Sequence, residues 1–347
     1  MAKSFAKLVA LPKPKRSWFQ FRLRTLFVLV AVSAVPCVWL AWNMDARRRV
    51  ELTKQRVLEL GGTFTTENRC PKWIEKLVGH ERTDLFERIA RIDLTQWTKS
   101  HATDTDLAFA RLIPGRCRQL RLDGAAIGDT GLEQLAGASS LTGLYLARTR
   151  ITDAGLAQLT KLPNLVDLDL SGTSITDAGL VQLSGMPHLR EVFFNYTSIG
   201  DAGLAHLSRL TNLERLGLQD TKISDAGLAY LKNMPNLIDL DLGRTKIGDA
   251  GLVHLRSLTR LKRLNLSVTD VADAGIANLA GLAQLKDIDL GHTQVSDACA
   301  VTLNTMPALQ IVRIPNTKIT PAGRQAIGGG SPNRQVGDAF FSYPLTD

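Results

Sequence analysis

An aspartate recurs every 24 residues along this chain, at Asp129, Asp153, Asp177, Asp201, Asp225, Asp249, Asp273 and Asp297. Each is followed by Ala or Thr. A unit of that length cannot bury its own apolar face, so successive units must stack and share one core. The period therefore predicts an α/β solenoid from about residue 90 to residue 327. It also narrows function, because stacked coils chiefly present surfaces to other molecules.

Residues 141–164 show one unit. Leu144 and Leu146 alternate with polar neighbours, as in a short strand with one face buried. Leu156, Leu159 and Leu162 then follow as one stripe of a helix. Asp153 stands where that helix should begin, so this aspartate and its seven counterparts are expected to cap their own helices at unpaired N–H groups. Pro163 stops the helix.

The strand pairs run in register from Leu120/Leu122 to Val312/Ile314, which gives nine strands, and Ile92 and Leu94 suggest a degenerate earlier one. A threonine column runs from Thr149 to Thr317 at the bend after each strand, where a hydroxyl can satisfy buried backbone groups.

These residues resemble the leucine-rich-repeat pattern L-x-x-L-x-L-x-x-N, with Thr in place of Asn, over about two-thirds of the chain. The repeat is similar to those of ribonuclease-inhibitor-like proteins. More narrowly, Phe21–Leu26 before an apolar run, Gly61-Gly62, Pro71-Lys72-Trp73 and the T-x-I-T-D-A-G-L repeat resemble planctomycete membrane-anchored leucine-rich-repeat proteins. That resemblance implies an architecture and an anchor, not an activity.

The formal charge of +9 first suggests a polyanionic partner. Its placement argues otherwise. Residues 1–60 carry 12 Lys/Arg and 3 Asp/Glu, whereas residues 61–347 carry 30 of each. A neutral solenoid lacks the basic footprint of a nucleic-acid binder, so no nucleic-acid partner is expected.

Leu26–Trp42 is an uncharged run of 17 residues, about 25 Å long as a helix and at the short end of what crosses a bilayer. Trp18, Phe19 and Phe21 flank one end, and Trp39 and Trp42 the other. The run reads as a single-pass anchor in the lipid bilayer. A cleaved signal peptide fits less well, because Ser33–Pro36 is a poor cleavage context. The basic residues before it favour a cytoplasmic N-terminus and an exported solenoid.

The expected organisation is a basic leader over 1–25, the anchor over 26–42 and a juxtamembrane helix over 43–60. An N-terminal cap over 61–101 precedes the solenoid over 102–327, and 328–347 forms a tail or second cap.

Chemistry is hard to find. Cys117 and Cys299 read as small core residues, and no C-x-x-C occurs. His206 and His254 share one outward helix position. Gly328–Gly330 lacks the Lys-Ser/Thr of a phosphate loop, and His80-Glu81 lacks a zinc-protease partner histidine. No metal or other cofactor is called for.

Attention falls on the solvent-side strand positions. Tyr145 and Phe193 share a column, with Asp169 and Glu191 among them and Arg148 and Tyr196 on the neighbouring loop edge. Aromatic residues flanked by charge suit a protein or peptide ligand. Arg215, Asp239, Arg263 and Asp287 form an alternating ladder that reads as exposed, self-neutralising pairs. The favoured reading is a membrane-anchored interaction module without catalysis. The alternatives are a self-associating envelope component and an enzyme with a site in 61–101, around Glu67, Glu75, His80 and Glu81.

Overall fold

The structure, a computed structural model, describes residues 44–68, 87–95, 104–112 and 117–338. Each 24-residue unit is a three-residue strand, a tight bend and a short helix, so the strands stack in sequence order into one twelve-stranded sheet. The strands are β1 (Thr63–Asn68), β2 (Glu87–Asp93), β3 (Gln119–Arg121), β4 (Gly143–Tyr145), β5 (Asp167–Asp169), β6 (Glu191–Phe193), β7 (Arg215–Gly217), β8 (Asp239–Asp241), β9 (Arg263–Asn265), β10 (Asp287–Asp289), β11 (Ile311–Arg313) and β12 (Gln335–Gly337). β1 pairs antiparallel with β2, and every later pairing is parallel.

The expected register holds. Leu120, Leu144, Leu168, Val192, Leu216, Leu240, Leu264, Ile288 and Val312 occupy one row and are fully buried, as are Ile92 and Leu94. Helix leucines such as Leu156, Leu204 and Leu252 close the same core from the other side. Cys117 and Cys299 are buried in it. Each threonine of the bend column donates its hydroxyl to the carbonyl three residues earlier, at 2.5–3.1 Å from Thr149 to Thr317. Those carbonyls would otherwise be buried without a partner.

The repeated aspartates do not cap their own helices. Each carboxylate points along the solenoid to the next coil. The Thr152 N–H and hydroxyl donate to Asp129 at 2.9 and 2.6 Å. Asp153 takes the same two bonds from Thr176, Asp201 from Ser224, Asp273 from Ser296 and Asp297 from Thr320. Asp177, Asp225 and Asp249 face Gly200, Gly248 and Ala272, and accept the N–H alone. The reason is positional. The extended residue before most of these aspartates, Thr152 for example, already holds the N-cap position. Asp153 is thus the first helical residue, and its side chain is free to reach sideways.

This ladder explains the glycine of D-A-G-L. A Cβ on Gly227 would sit 2.2 Å from Asp201 Oδ1, and one on Gly251 would sit 2.4 Å from Asp225 Oδ1. A bare Cα gives the carboxylate room to pass. Cys299 takes the glycine position in one coil, where the helix begins at Cys299 itself and Asp273 still accepts both bonds from Ser296.

Both ends depart from the repeat. A helix described over residues 44–59 buries Val50, Thr53 and Val57 against the end of the core. Its Arg56 bonds Asp106 at 2.9 Å. Gly61 ends it in a left-handed conformation, φ +73°. The expected juxtamembrane helix is thus packed as part of the solenoid's N-terminal closure.

At the other end, where a tail or second cap is expected over 328–347, the helix Pro321–Gly329 is followed by β12. Arg334 is buried there. It donates to the carbonyls of Leu309, Met306 and Ile327, so a guanidinium closes backbone groups that another coil would have covered. Burial lowers its pKa.

The anchor span, Pro71–Trp73, His80 and Phe340, Phe341 and Tyr343 lie outside the described residues. Among the described residues, no helix is long and apolar enough to cross a membrane.

Candidate binding surfaces

The six residues singled out from the sequence divide between two surfaces. Tyr145, Asp169, Glu191 and Phe193 stand on the sheet face, in β4–β6. Arg148 and Tyr196 stand on the bend that follows the strands, and both are exposed.

On the sheet face, Tyr145 is not an exposed anchor. It is 5 % accessible. Its ring lies against Gly143, which leaves room for it, and the Arg121 guanidinium sits 4.7 Å from its centroid. Phe193 is half-buried, and its ring edges over the bare Cα of Gly217, where a Cβ would come within 2.7 Å. Both aromatics thus exploit a glycine in their own or the next strand.

Asp169 shapes the backbone. It accepts the Ser171 N–H at 2.9 Å and turns the chain out of the strand. Asp241 and Asp289 do the same for Gly243 and Gly291, at 3.0 and 2.8 Å. Burial raises the Asp169 pKa. It pushes Asp167 up to about 6, with Glu191 adding to the shift. Asp241 is pushed up to about 7, first by burial and then by Asp239 and Asp289, against the Gly243 N–H and Asn265.

The charge ladder is not the exposed array the sequence suggested. Each arginine reaches back one strand: Arg215 to Glu191 at 3.2 Å, Arg263 to Asp239, and Arg313 to Asp287. Asp239 is wholly inaccessible, and Asp241, Asn265, Asp287 and Asp289 are buried as well. The strands are only three residues long, so side chains of neighbouring strands close over one another and leave little acid surface open.

On the bend, one column has left-handed backbone throughout: Gly124, Arg148, Gly172, Tyr196, Asp220, Arg244, Val268, His292 and Asn316, with φ between 51° and 73°. Seven of these are not glycine, and such a conformation costs about 1–2 kcal/mol for an L-residue. It persists because it aims each N–H at a carbonyl of the next coil, as in Arg148 to Ser171 at 2.7 Å and Tyr196 to Gln219 at 2.7 Å. Beside Tyr196 lies a cleft of about 410 Å³, walled by that tyrosine and Asp220 and floored by residues of the Thr173–Thr176 bend. Asp220, Gly172, Ser174 and Ser198 were missed in the sequence, although the 24-residue columns that contain them could be read as easily as the strand columns.

On the helix side, His206 and His254 flank Tyr230 in one row. Among the described residues, no group of three His, Cys, Asp or Glu side chains is placed to hold a metal ion.

Two segments, 161–184 and 233–255, match a family model described as a leucine-rich repeat. An internalin (inlF) from Listeria monocytogenes str. 4b F2365 superposes with a TM-score of 0.50 at 19% identity, over 77% of this chain and 86% of that one. The architecture is that of a leucine-rich-repeat solenoid. Internalin C2 from the same organism is also similar, with 26% identity, 61% of this chain and 84% of that chain covered, and a TM-score of 0.48. No curated protein matches the chain. Within the leucine-rich-repeat solenoid, the sheet face and the bend are two places where the sequence leaves its repeat.

Proposed function

We propose that the chain is a membrane-tethered interaction module that holds a protein or peptide partner on its sheet face and performs no catalytic step. The observation that carries this is the unevenness of that face. The core rows repeat leucine, whereas the row through Tyr145, Asp169, Phe193 and Gly217 changes at every strand. Phe193, with Glu191 two residues before it in β6, offers an apolar centre with a charged rim, the arrangement of an interface anchor. The uncharged run Leu26–Trp42 and the +9 charge of residues 1–60 support the tether, with the N-terminus cytoplasmic and the solenoid exported.

Crosslinking in native membranes followed by partner identification tests the module. Phe193→Ala combined with Glu191→Gln should abolish partner capture, with circular dichroism checking that the solenoid still folds. Capture that survives the double substitution removes the sheet face from the mechanism. Deleting residues 26–42 should release the chain from the membrane fraction under carbonate extraction, and retention would remove the tether.

A further inference from the structure

The cleft on the bend has a composition unlike the rest of its column. Going along the solenoid, the left-handed column reads Arg148, Gly172, Tyr196, Asp220, Arg244, and the column two residues on reads Arg150, Ser174, Ser198, Lys222, Lys246. Long cations stand on both sides. Between them the second column shrinks to Ser174 and Ser198, and the cleft lies there beside Tyr196. It is shallow, open to solvent and mainly polar in its lining.

Tyr196 is fixed in place there. The residue is 51 % accessible, its N–H is bonded to the Gln219 carbonyl, and its hydroxyl donates to Gln219 Oε1 at 3.0 Å. Gln219 is itself held, because its N–H donates to Asn195 Oδ1 at 2.8 Å. An exposed aromatic face is thus presented with little rotamer entropy left to lose on binding. Thr173 and Ser174, one coil earlier, form the neighbouring side of the cleft. Asp220, one coil later, lines the cleft as well. Ser174 and Ser198 line the cleft too, while Thr176 spends its hydroxyl proton on Asp153.

We infer that this cleft binds a neutral saccharide. A pyranose offers one face of C–H bonds and a rim of hydroxyls. The C–H face suits the Tyr196 ring through weak C–H···π contact, and two rim hydroxyls suit the Asp220 carboxylate, which accepts charge-assisted bonds. Ser174 and Ser198 both donate and accept, as further hydroxyls require. Other ligand classes fit worse. An anion would face Asp220 with no Lys or Arg in the lining, and an apolar ligand would strip water from hydroxyls and give nothing back. A basic peptide side chain would satisfy Asp220 and the ring but leave the serines unused. Saccharide binding here is independent of the protein partner, which uses β6 instead of the bend.

The test is saturation-transfer NMR and calorimetry on the full chain in a non-glycosidic detergent. The probes are methyl α-glucoside, methyl α-mannoside, methyl β-galactoside and cellobiose, with Gly-Lys-Gly as the peptide arm. At least one glycoside should bind saturably, and Tyr196→Ala and Asp220→Asn should each weaken it about tenfold or more, a loss of about 1.4 kcal/mol. Ser198→Lys should fill the cleft and abolish binding at unchanged melting temperature, since lysine already occupies that column at Lys222 and Lys246. Tyr230→Ala, at an exposed tyrosine on the helix side, should change nothing. Absence of binding by all four glycosides overturns the inference. So does binding that survives Tyr196→Ala, or binding of the peptide in place of any glycoside.

Discussion

The helix-start side of this solenoid and its sheet face are built on the same 24-residue period and use it in opposite ways. At the helix starts, one aspartate per coil makes one kind of contact, reaching to the next coil's N–H. On the sheet face, the position 24 residues on is occupied in turn by Tyr145, Asp169, Phe193, Gly217, Asp241, Asn265 and Asp289. A side chain that answers only to the coil beside it repeats with the coil. One that answers to something outside the coil is free to vary. The contrast separates what the fold needs from what is available for recognition, and substitutions on each side should behave accordingly.

The largest effect belongs to the rows that both sides share. Leu240 is fully buried at the centre of the stack, and Leu240→Ala should cost about 2–5 kcal/mol in denaturant unfolding. Stability in a solenoid passes between neighbours, so hydrogen-exchange protection should fall most in β7 and β9 and least at the two ends. Uniform loss along the chain would mean that the coils unfold as a single block.

The sheet face should be where pH acts. Asp241 has a folded pKa of about 7 against an ordinary 3.8. The folded state therefore holds a proton that the unfolded state has released, and the stability from this group is present below about pH 4 and lost as pH rises towards 7. Full ionisation corresponds to at most ~4 kcal/mol. Asp167, at about 6, has the same sign over a narrower window. The groups facing Asp241 are Asp239, Asp289, Asn265 and the Gly243 N–H. Asp241→Asn should flatten the fall in melting temperature between pH 4 and 7, because Asn265 already makes the same turn in the same column, accepting the Ser267 N–H at 2.9 Å. An unchanged pH profile would place the titrating group elsewhere.

The helix-start side should answer to sterics instead. Gly227→Ala would drive a methyl against Asp201 Oδ1 and should cost about 1–3 kcal/mol. In an Asp201→Ala background the same change should cost much less. The coupling in that double-mutant cycle measures the close approach directly, and a coupling near zero would show that the glycine serves some other need.

These contrasts show how far the sequence could be read. The period fixed the register of β3–β11, and Ile92 pointed to β2, because apolar alternation and stacking leave one solution. β12 was hidden, since Gly328–Gly330 breaks the pattern and Arg334 stands in for apolar packing through carbonyl bonds. The aspartates were recognised as structural but given the wrong partner: spacing along one coil cannot show a bond to the coil beside it. Tyr145 failed as an exposed anchor for a related reason. Alternation places it on the solvent side, but its burial depends on Gly143 and Arg121, neighbours in space and not in the repeat. The bend cleft was legible in principle, through the column in which Arg150 gives way to Ser174 and Ser198 before Lys222.

The smallest effect tests the ladder from the favourable direction. Asp249 accepts the Ala272 N–H at 2.7 Å, and that coil offers its second oxygen no hydroxyl. In the same column Ser224 and Ser296 each add a hydroxyl bond of 2.6 Å to the aspartate behind them. The backbone at 272 is extended like that at Ser224, with φ −124° and −122°, so a serine there meets no conformational barrier. Ala272→Ser should therefore stabilise the chain by about 0.5–1.5 kcal/mol, the net value of one hydrogen bond after its exchange with water. Ala272→Val would supply the bulk without the donor and should give no such gain. If serine gives none either, the hydroxyl bonds at Thr152, Thr176, Ser224, Ser296 and Thr320 merely replace bonds to solvent. The ladder would then owe its strength to the N–H groups alone, which every coil provides whichever residue it places there.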